Sequence, residues 1–510
     1  MPNPLFARKP LSLLLEEMKG ESRLRRVLGP WQLTSLGVGA IIGTGIFVLT
    51  GVAAHDKVGP ALTLSFVVAG MACIFAALCY SEFASMAPVA GSAYTYAYAT
   101  IGELGAWIIG WDLILEYAVA SATVAHGWSH YFQDFIGILG VQWPKVLGNA
   151  PFDYDPAQGH FVLTGALFDL PAIFISLLIT VVLVIGIRES ARFNTGMVVV
   201  KVVVVFFVIG VGATYVDPDN WVPFAPYGYG GLSFFGNTVY GQTGSGGEPL
   251  GMLAGAAIIF FAYIGFDSIS THAEEARNPQ RDVPFGIITS LIACTILYIA
   301  VAAVLTGMVR YDQIDINAPV SNAFAQVGLP WAQFLVSLGA LTGITSVLLV
   351  MMLSQPRVWL AMARDGLVPH SFFGAVHDKY RTPYKSTILT GVLVSLAASL
   401  LPLRILADLT NIGTLFAFVV VCASVLIMRH VYPDVERPFR APFAPWTPIL
   451  GILTCLMLMF SLPAENWWRL FVWLAIGLAI YFLYGRHHSV LARLREADAV
   501  RGAGPTGATS

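Results

Sequence analysis

The sequence predicts an all-α membrane protein with twelve transmembrane helices, and three observations predict it. Hydrophobic residues make up 56% of the 510-residue chain, charged residues only 11%, and the mean hydropathy is +0.72. A soluble domain carries about 25% charged residues. Apolar runs of about 20 residues, the length that crosses a bilayer, recur along the whole chain. Two of them, the first and the sixth, are interrupted near the middle by glycine. The net charge of -2 points to no nucleic-acid partner.

The runs cover 31–54, 60–86, 103–133, 170–188, 192–216, 251–275, 285–309, 331–355, 385–402, 405–430, 447–463 and 468–485. Residues 1–30 are polar and basic, with a short amphipathic piece at LSLLLEEMKG, and show no cleavable signal-peptide pattern. The first span is therefore the first anchor. The tail from His487 is polar, ends in GAGPTGATS, and reads as disordered. Lys and Arg fix the orientation. With the N-terminus inside, 22 of the 28 fall on inner segments and five on outer ones. Both termini are then cytoplasmic, in a multi-pass protein of the inner (plasma) membrane. The cysteines at 73, 79, 294, 422 and 455 lie in apolar runs without metal spacing, which makes them packing residues. No metal and no cofactor is expected.

One cation is left over. Lys201, in TGMVVVKVVVVFFVIG, lies about 14 Å from the inner end of the fifth span at 1.5 Å per residue. An ammonium there costs at least about 2.5 kcal/mol on insertion scales. It must face the bundle interior and find carbonyls or a carboxylate. An amine enclosed in this way is a candidate proton carrier; a static salt bridge is the alternative.

The first run contains GVGAIIGTGIF (37–47), with Gly37, Gly39, Gly43 and Gly45 in mid-span. A glycine costs a helix interior about 1 kcal/mol relative to alanine. Clustered glycines serve either close helix packing or an unwound segment, which a membrane tolerates only beside protein or a polar cavity. The sixth run repeats the signal at FFAYIGFDSIS (260–270), with Gly265, Asp267 and Ser268. Broken helices at spans one and six start two five-helix halves. Five is odd, so the second half is inverted across the membrane. Interruptions at corresponding places of two inverted halves point to a transporter binding site. Free amides at a half-helix N-terminus attract a carboxylate. Free carbonyls at a half-helix C-terminus accept an ammonium. Together they read an amino acid backbone and leave the side chain to a separate pocket.

The chain strongly resembles the amino acid–polyamine–organocation (APC) superfamily, and within it the bacterial branch of the cationic amino acid transporters. The matching motifs are GVGAIIGTGIF, FAALCYSEFASMAPVAGSAYTYAYATIGEL (75–104), GWDLILEY (110–117), Lys201, FFAYIGFDSISTHAEEARNPQRDVPFGI (260–287), MARDGLVP (362–369) and LTNIGTLFAF (409–418). The resemblance implies a five-plus-five inverted repeat with two peripheral helices. The domains would be a first repeat at 31–216, an outer loop and second repeat at 217–430, helices eleven and twelve at 431–486, and a tail at 487–510. It implies that Ile42, Thr44 and Gly45 meet the substrate carboxylate. Carbonyls near Ile41, Phe261, Ala262 and Ile264 would meet its amine, and the Phe261 ring would gate the site from outside. Lys201 would stand where sodium-coupled relatives hold their ion.

Glu116 is the other ionisable group deep in a span. It is a candidate to pair with Lys201, to hold water or to attract a cationic side chain, with Asp112 one turn earlier. Met351 is a candidate pocket residue. Thr345 and Ser346 are candidate hydroxyl partners of Lys201. Glu82 suits a gate or cap, and Glu274, Glu275, Arg277, Arg281 and Asp282 an inner interface network. Trp31, Trp467 and Trp468 suit membrane-interface anchoring. The Gly-rich connection 231–250 reads as a solvated flexible loop.

The functional expectation is a secondary active amino acid transporter importing L-amino acids with protons by alternating access. An exchanger without net ion coupling and a non-transporting amino acid receptor are the alternatives. Partners are the amino acid, protons and the lipid bilayer, with room for a small membrane partner subunit. No HExxH, GxSxG or paired catalytic carboxylates suggest an enzyme.

Overall fold

A computed structural model describes residues 4–10, 13–14, 26, 28–89, 91–155, 160–185, 187–244, 247–380 and 382–495. Most of the amphipathic piece at 11–20 and the tail beyond 495 lie outside the described residues.

Among the described residues, fourteen α-helices of eight residues or more follow one another. They are α1 Pro30–Ile41, α2 Leu62–Met86, α3 Ala93–Thr100, α4 Glu103–Ile138, α5 Leu170–Ile185, α6 Ile187–Gly212 and α7 Met252–Ile259, then α8 Pro279–Met308, α9 Pro319–Gln326, α10 Pro330–Arg364, α11 Tyr384–Leu400, α12 Leu403–Val431, α13 Trp446–Phe460 and α14 Ala464–Ile480. Local chemistry sets several starts. Proline at the first helical position opens α1, α8, α9 and α10, where its missing N–H and fixed φ cost nothing. At α1 the Gln32 Oε1 accepts from the Gly29 amide at 2.6 Å.

Among the described residues, eight helical stretches are long and apolar enough to cross a membrane. The first of these, Pro30–Met86, runs 57 residues and contains both of the first two predicted spans. Leu170–Ile185, Tyr384–Leu400 and Trp446–Phe460 are apolar but only 16, 17 and 15 residues long. α4 and α10 pack along each other at the centre, flanked by α12 and α6, while α8 packs on α1 and α2. Leu28 marks what we call the near end of the bundle and Val58 the far end. All five cysteines are buried and free.

At the near end Arg357 pairs with Glu275 at 2.6 Å and Arg364 with Glu274 at 3.6 Å. Asp282 accepts from the Asn278 amide at 3.2 Å. Glu82 binds Arg429 through both oxygens, at 2.6 and 3.0 Å, and accepts from the Ala441 amide. At the far end Lys57 is buried rather than solvated; burial, then Arg404, push its ammonium below the ordinary range.

The 231–250 connection differs from a flexible loop. Among its described residues β3 Leu232–Phe234 pairs antiparallel with β4 Asn237–Tyr240, and β5 Gln242–Thr243 with β6 Pro249–Leu250. The Ser233 hydroxyl donates to the Ser461 carbonyl at 3.0 Å, and Phe234 and Phe235 meet Phe460 at 4.9 and 5.6 Å between ring centroids. The glycines supply its turns, while the aromatic residues between them seat it on α13. Trp467 is accordingly buried against Phe235 and Phe460, not an interface anchor, whereas Trp31 and Trp468 are exposed.

Candidate substrate and coupling site

α1 ends because Ile42 turns extended, with ψ of 105°. The chain re-enters a helix at Thr44, and its first bonds run from the Ile46 and Phe47 amides back to the Gly43 carbonyl. The amides of Thr44 and Gly45 thus open a second half-helix, where no earlier turn supplies acceptors. In the sixth run α7 tightens to a 3₁₀ turn at Phe260–Tyr263, breaks at Ile264–Asp267, and resumes at Ser268–Thr271.

The two breaks interlock through two glycines. A Cβ on Gly45 would stand 2.3 Å from the Ala262 Cα, so only glycine permits this approach. Gly265 has φ of +124°, and a Cβ there would meet Ala40 at 2.8 Å. Asp267 holds the second turn, accepting from the Gly265 amide at 3.1 Å and from the Tyr117 hydroxyl at 2.7 Å.

Breaking α1 frees carbonyls, and buried carbonyls need partners. Lys201 Nζ donates to the Gly39 carbonyl at 2.6 Å, the Ile42 carbonyl at 2.8 Å and the Ser346 hydroxyl at 2.6 Å. Tyr298 donates to the Ile41 carbonyl at 2.6 Å. In the sixth run Asn411 Nδ2 donates to the Ala257 and Ile258 carbonyls at 3.0 and 3.2 Å. The Phe261 carbonyl accepts from the Ile264 amide.

A small cavity sits where the breaks meet, lined by Ala40, Ile41, Thr44, Gly45, Ala120, Val124, Phe261, Ile264, Val347 and Met351. It therefore gathers Ile41, Thr44, Gly45, Phe261, Ile264 and Met351 of the predicted set. Ile42 and Ala262 lie beside it: the first gives its carbonyl to Lys201, the second packs on Gly45. The Thr44 hydroxyl is buried and lacks a hydrogen-bond partner. The polar side of the cavity is backbone and Thr44; the other side is apolar.

Two expected pairings are absent. Glu116 is buried, but it does not meet Lys201, and neither carboxylate oxygen has a hydrogen-bond partner. α4 turns Ala120 and Val124 toward the cavity, not Glu116. Asp112 is likewise buried without a partner, close against Gly413. Thr345 faces away from Lys201: it accepts from the Trp128 indole at 2.9 Å and donates to the Leu341 carbonyl. Tyr298 and Asn411 escaped the sequence reading. A tyrosine or asparagine in mid-span is the signal that would have found them, because each must find a polar partner when buried.

Comparison with known proteins identifies the family. A family profile described as amino acid permease matches residues 28–481. The branched-chain amino acid permease BcaP of Bacillus subtilis (strain 168) is 48% identical over 492 residues, covering 96% of this chain and all of that protein. The methylthioribose transporter of the same organism is 44% identical over 487 residues, covering 96% and 99%. Cationic amino acid transporter 1 of Arabidopsis thaliana is 32% identical over 552 residues, covering 96% and 88%. With the profile spanning both broken helices and these relatives aligned along nearly its full length, the chain belongs to the amino acid permease family of the APC superfamily.

Proposed function

We propose that the protein is a proton-coupled amino acid importer that works by alternating access. The observation that carries this reading is Lys201, enclosed and bound to the carbonyls of the broken first span beside the cavity. The protonated amine ties the broken end of α1 to α10 through the Gly39 and Ile42 carbonyls and the Ser346 hydroxyl. Losing its proton removes one donor and the positive charge from that contact and loosens the arrangement, which couples substrate release to proton release. Uptake of labelled substrate into vesicles should rise with an inward proton gradient, and a Lys201→Ala protein should lose that response. Uptake indifferent to the gradient would sink the coupling, and counterflow without net uptake would identify an exchanger. Binding without any flux would identify a receptor.

The same reading takes the chain as twelve spans in two inverted five-helix repeats, 31–216 and 217–430, followed by a peripheral pair at 431–486. Both termini are on the cytoplasmic side of the inner membrane. The three short apolar helices fit this count, since local bilayer thinning accommodates a short span at modest cost. The Thr44 and Gly45 amides take the substrate carboxylate, as the start of a half-helix favours an anion. The carbonyls of Ala262 and Ile264 take its amine, and Phe261 gates the cavity.

For the side chain we favour small or branched neutral amino acids. Ala120, Val124, Val347 and Met351 offer an apolar wall, and Glu116 is not part of it. The similarity to a protein named as a branched-chain amino acid permease points the same way. A thermal-shift series with the twenty amino acids should rank Val, Leu, Ile and Ala above Lys and Arg, since the shift follows free ligand over Kd. A cationic amino acid at the head of the series would overturn the assignment.

A further inference from the structure

Asn194 is buried on α6, yet neither its amide nitrogen nor its amide oxygen has a hydrogen-bond partner. Buried polar side chains are nearly always paired, and leaving one unpaired is costly. This one sits seven residues before Lys201, two helical turns nearer the near end and on the same face. Both residues address the same glycine of the broken span. The Gly39 carbonyl takes the Lys201 ammonium, while a Cβ on Gly39 would stand 3.0 Å from Asn194 Nδ2. Val198 lines the same spot, with its methyl group 3.1 Å from that Cβ position. Asn194 is thus the polar group that α6 offers to α1 on the near side of the lysine.

The other surroundings of the ammonium are known. α1 presents the Gly39 and Ile42 carbonyls, α10 presents Ser346, and the titratable group facing it from α8 is the Cys294 thiol. No carboxylate among the described residues pairs with Lys201. Water is the acceptor that remains for a departing proton, and on the face of α6 turned toward α1 its first polar foothold below Lys201 is Asn194.

We propose that Asn194 is a positioning residue for proton release from Lys201. With α1 packed on α6 its amide is unpaired, which disfavours that packing. When α1 withdraws at the near end, the amide takes hydrogen bonds from water and holds that water beside the ammonium. The proton passes from Lys201 Nζ to the water, leaving the neutral amine. An unpaired asparagine therefore biases the cycle toward the state in which the proton can leave.

This rests on the reading of Lys201 as the proton carrier, and the test separates the two. In proteoliposomes, Asn194→Leu should slow gradient-driven net uptake about tenfold. It should leave amino acid binding, which needs no proton release, within about twofold, and raising the internal pH should recover part of the lost rate. Its melting temperature should equal or exceed that of the unaltered protein. Unchanged gradient-driven uptake in Asn194→Leu, or a loss that a raised internal pH does not recover, overturns the inference while leaving the coupling intact. Loss of any gradient response in the unaltered protein removes the coupling itself. Should Asn194→Leu fail to fold, Asn194→Cys decides. A small membrane-permeant methanethiosulfonate should label it during turnover and less when substrate holds the site closed, against the background of the unaltered protein. No labelling under turnover in an active Asn194→Cys protein overturns the inference.

Discussion

The two breaks solve one problem with different chemistry. Each leaves backbone carbonyls without helical partners. At the first, the donor is an ammonium on a long chain, backed by Ser346 and Tyr298. At the second, the donor is the neutral amide of Asn411, and Asp267 and Tyr117 hold the turn. An amide donates at every pH, whereas an amine gives up a donor and its charge on losing a proton. On the proposed mechanism the first break is the switchable one, and the second is the fixed wall against which it moves.

The contrast is tested most severely at the donors. Lys201→Met should abolish concentrative uptake, leaving less than about 1% of the rate, because two freed carbonyls lose a charged partner; each such loss costs about 1–3 kcal/mol. Retained accumulation against a gradient would erase the difference between the breaks. Gly45→Ala comes next. Its Cβ would collide with Ala262, and overpacking costs about 1–3 kcal/mol, so substrate-induced thermal stabilisation should vanish while the helical circular dichroism stays. Asn411→Ala should lower stability by about 1–3 kcal/mol and leave the gradient dependence of the remaining uptake intact. A lost gradient response there would mean that the second break also switches. Tyr298→Phe, which removes one hydrogen bond to the Ile41 carbonyl, should cost about 1 kcal/mol and read as a small drop in melting temperature with transport preserved.

Much of this was legible in the residues. The glycines at 37–47 marked one break and Gly265 the other because mid-span glycine is locally unfavourable and needs a reason. Of the two readings of these glycines, close packing is the one the structure shows, and it leaves room for the other. Gly45 lets the backbones touch, and the touching segments wall the cavity. Lys201 was found because a lone mid-span charge must be enclosed, though its hydroxyl partner is Ser346 and not the adjacent Thr345, a difference of 100° around α10. Glu116 was misplaced for the same reason: depth in the membrane is readable from sequence distance, but the direction a side chain faces depends on which helices surround it. The 231–250 segment was hidden by its glycines, which mimic a linker while Phe234 and Phe235 supply the contacts that order it.

That hairpin bears on what the smallest functional version of the chain can be. α13 and α14 lie outside the five-plus-five core of the proposed fold and look removable. Yet Phe460 and Trp467 form the seat for the segment that leads into the sixth span. Cutting the chain after residue 446 would expose Phe234 and Phe235 and release the lead-in to α7. A ten-helix truncation is thus not a minimal transporter but one whose broken sixth span has lost its anchorage at the far end.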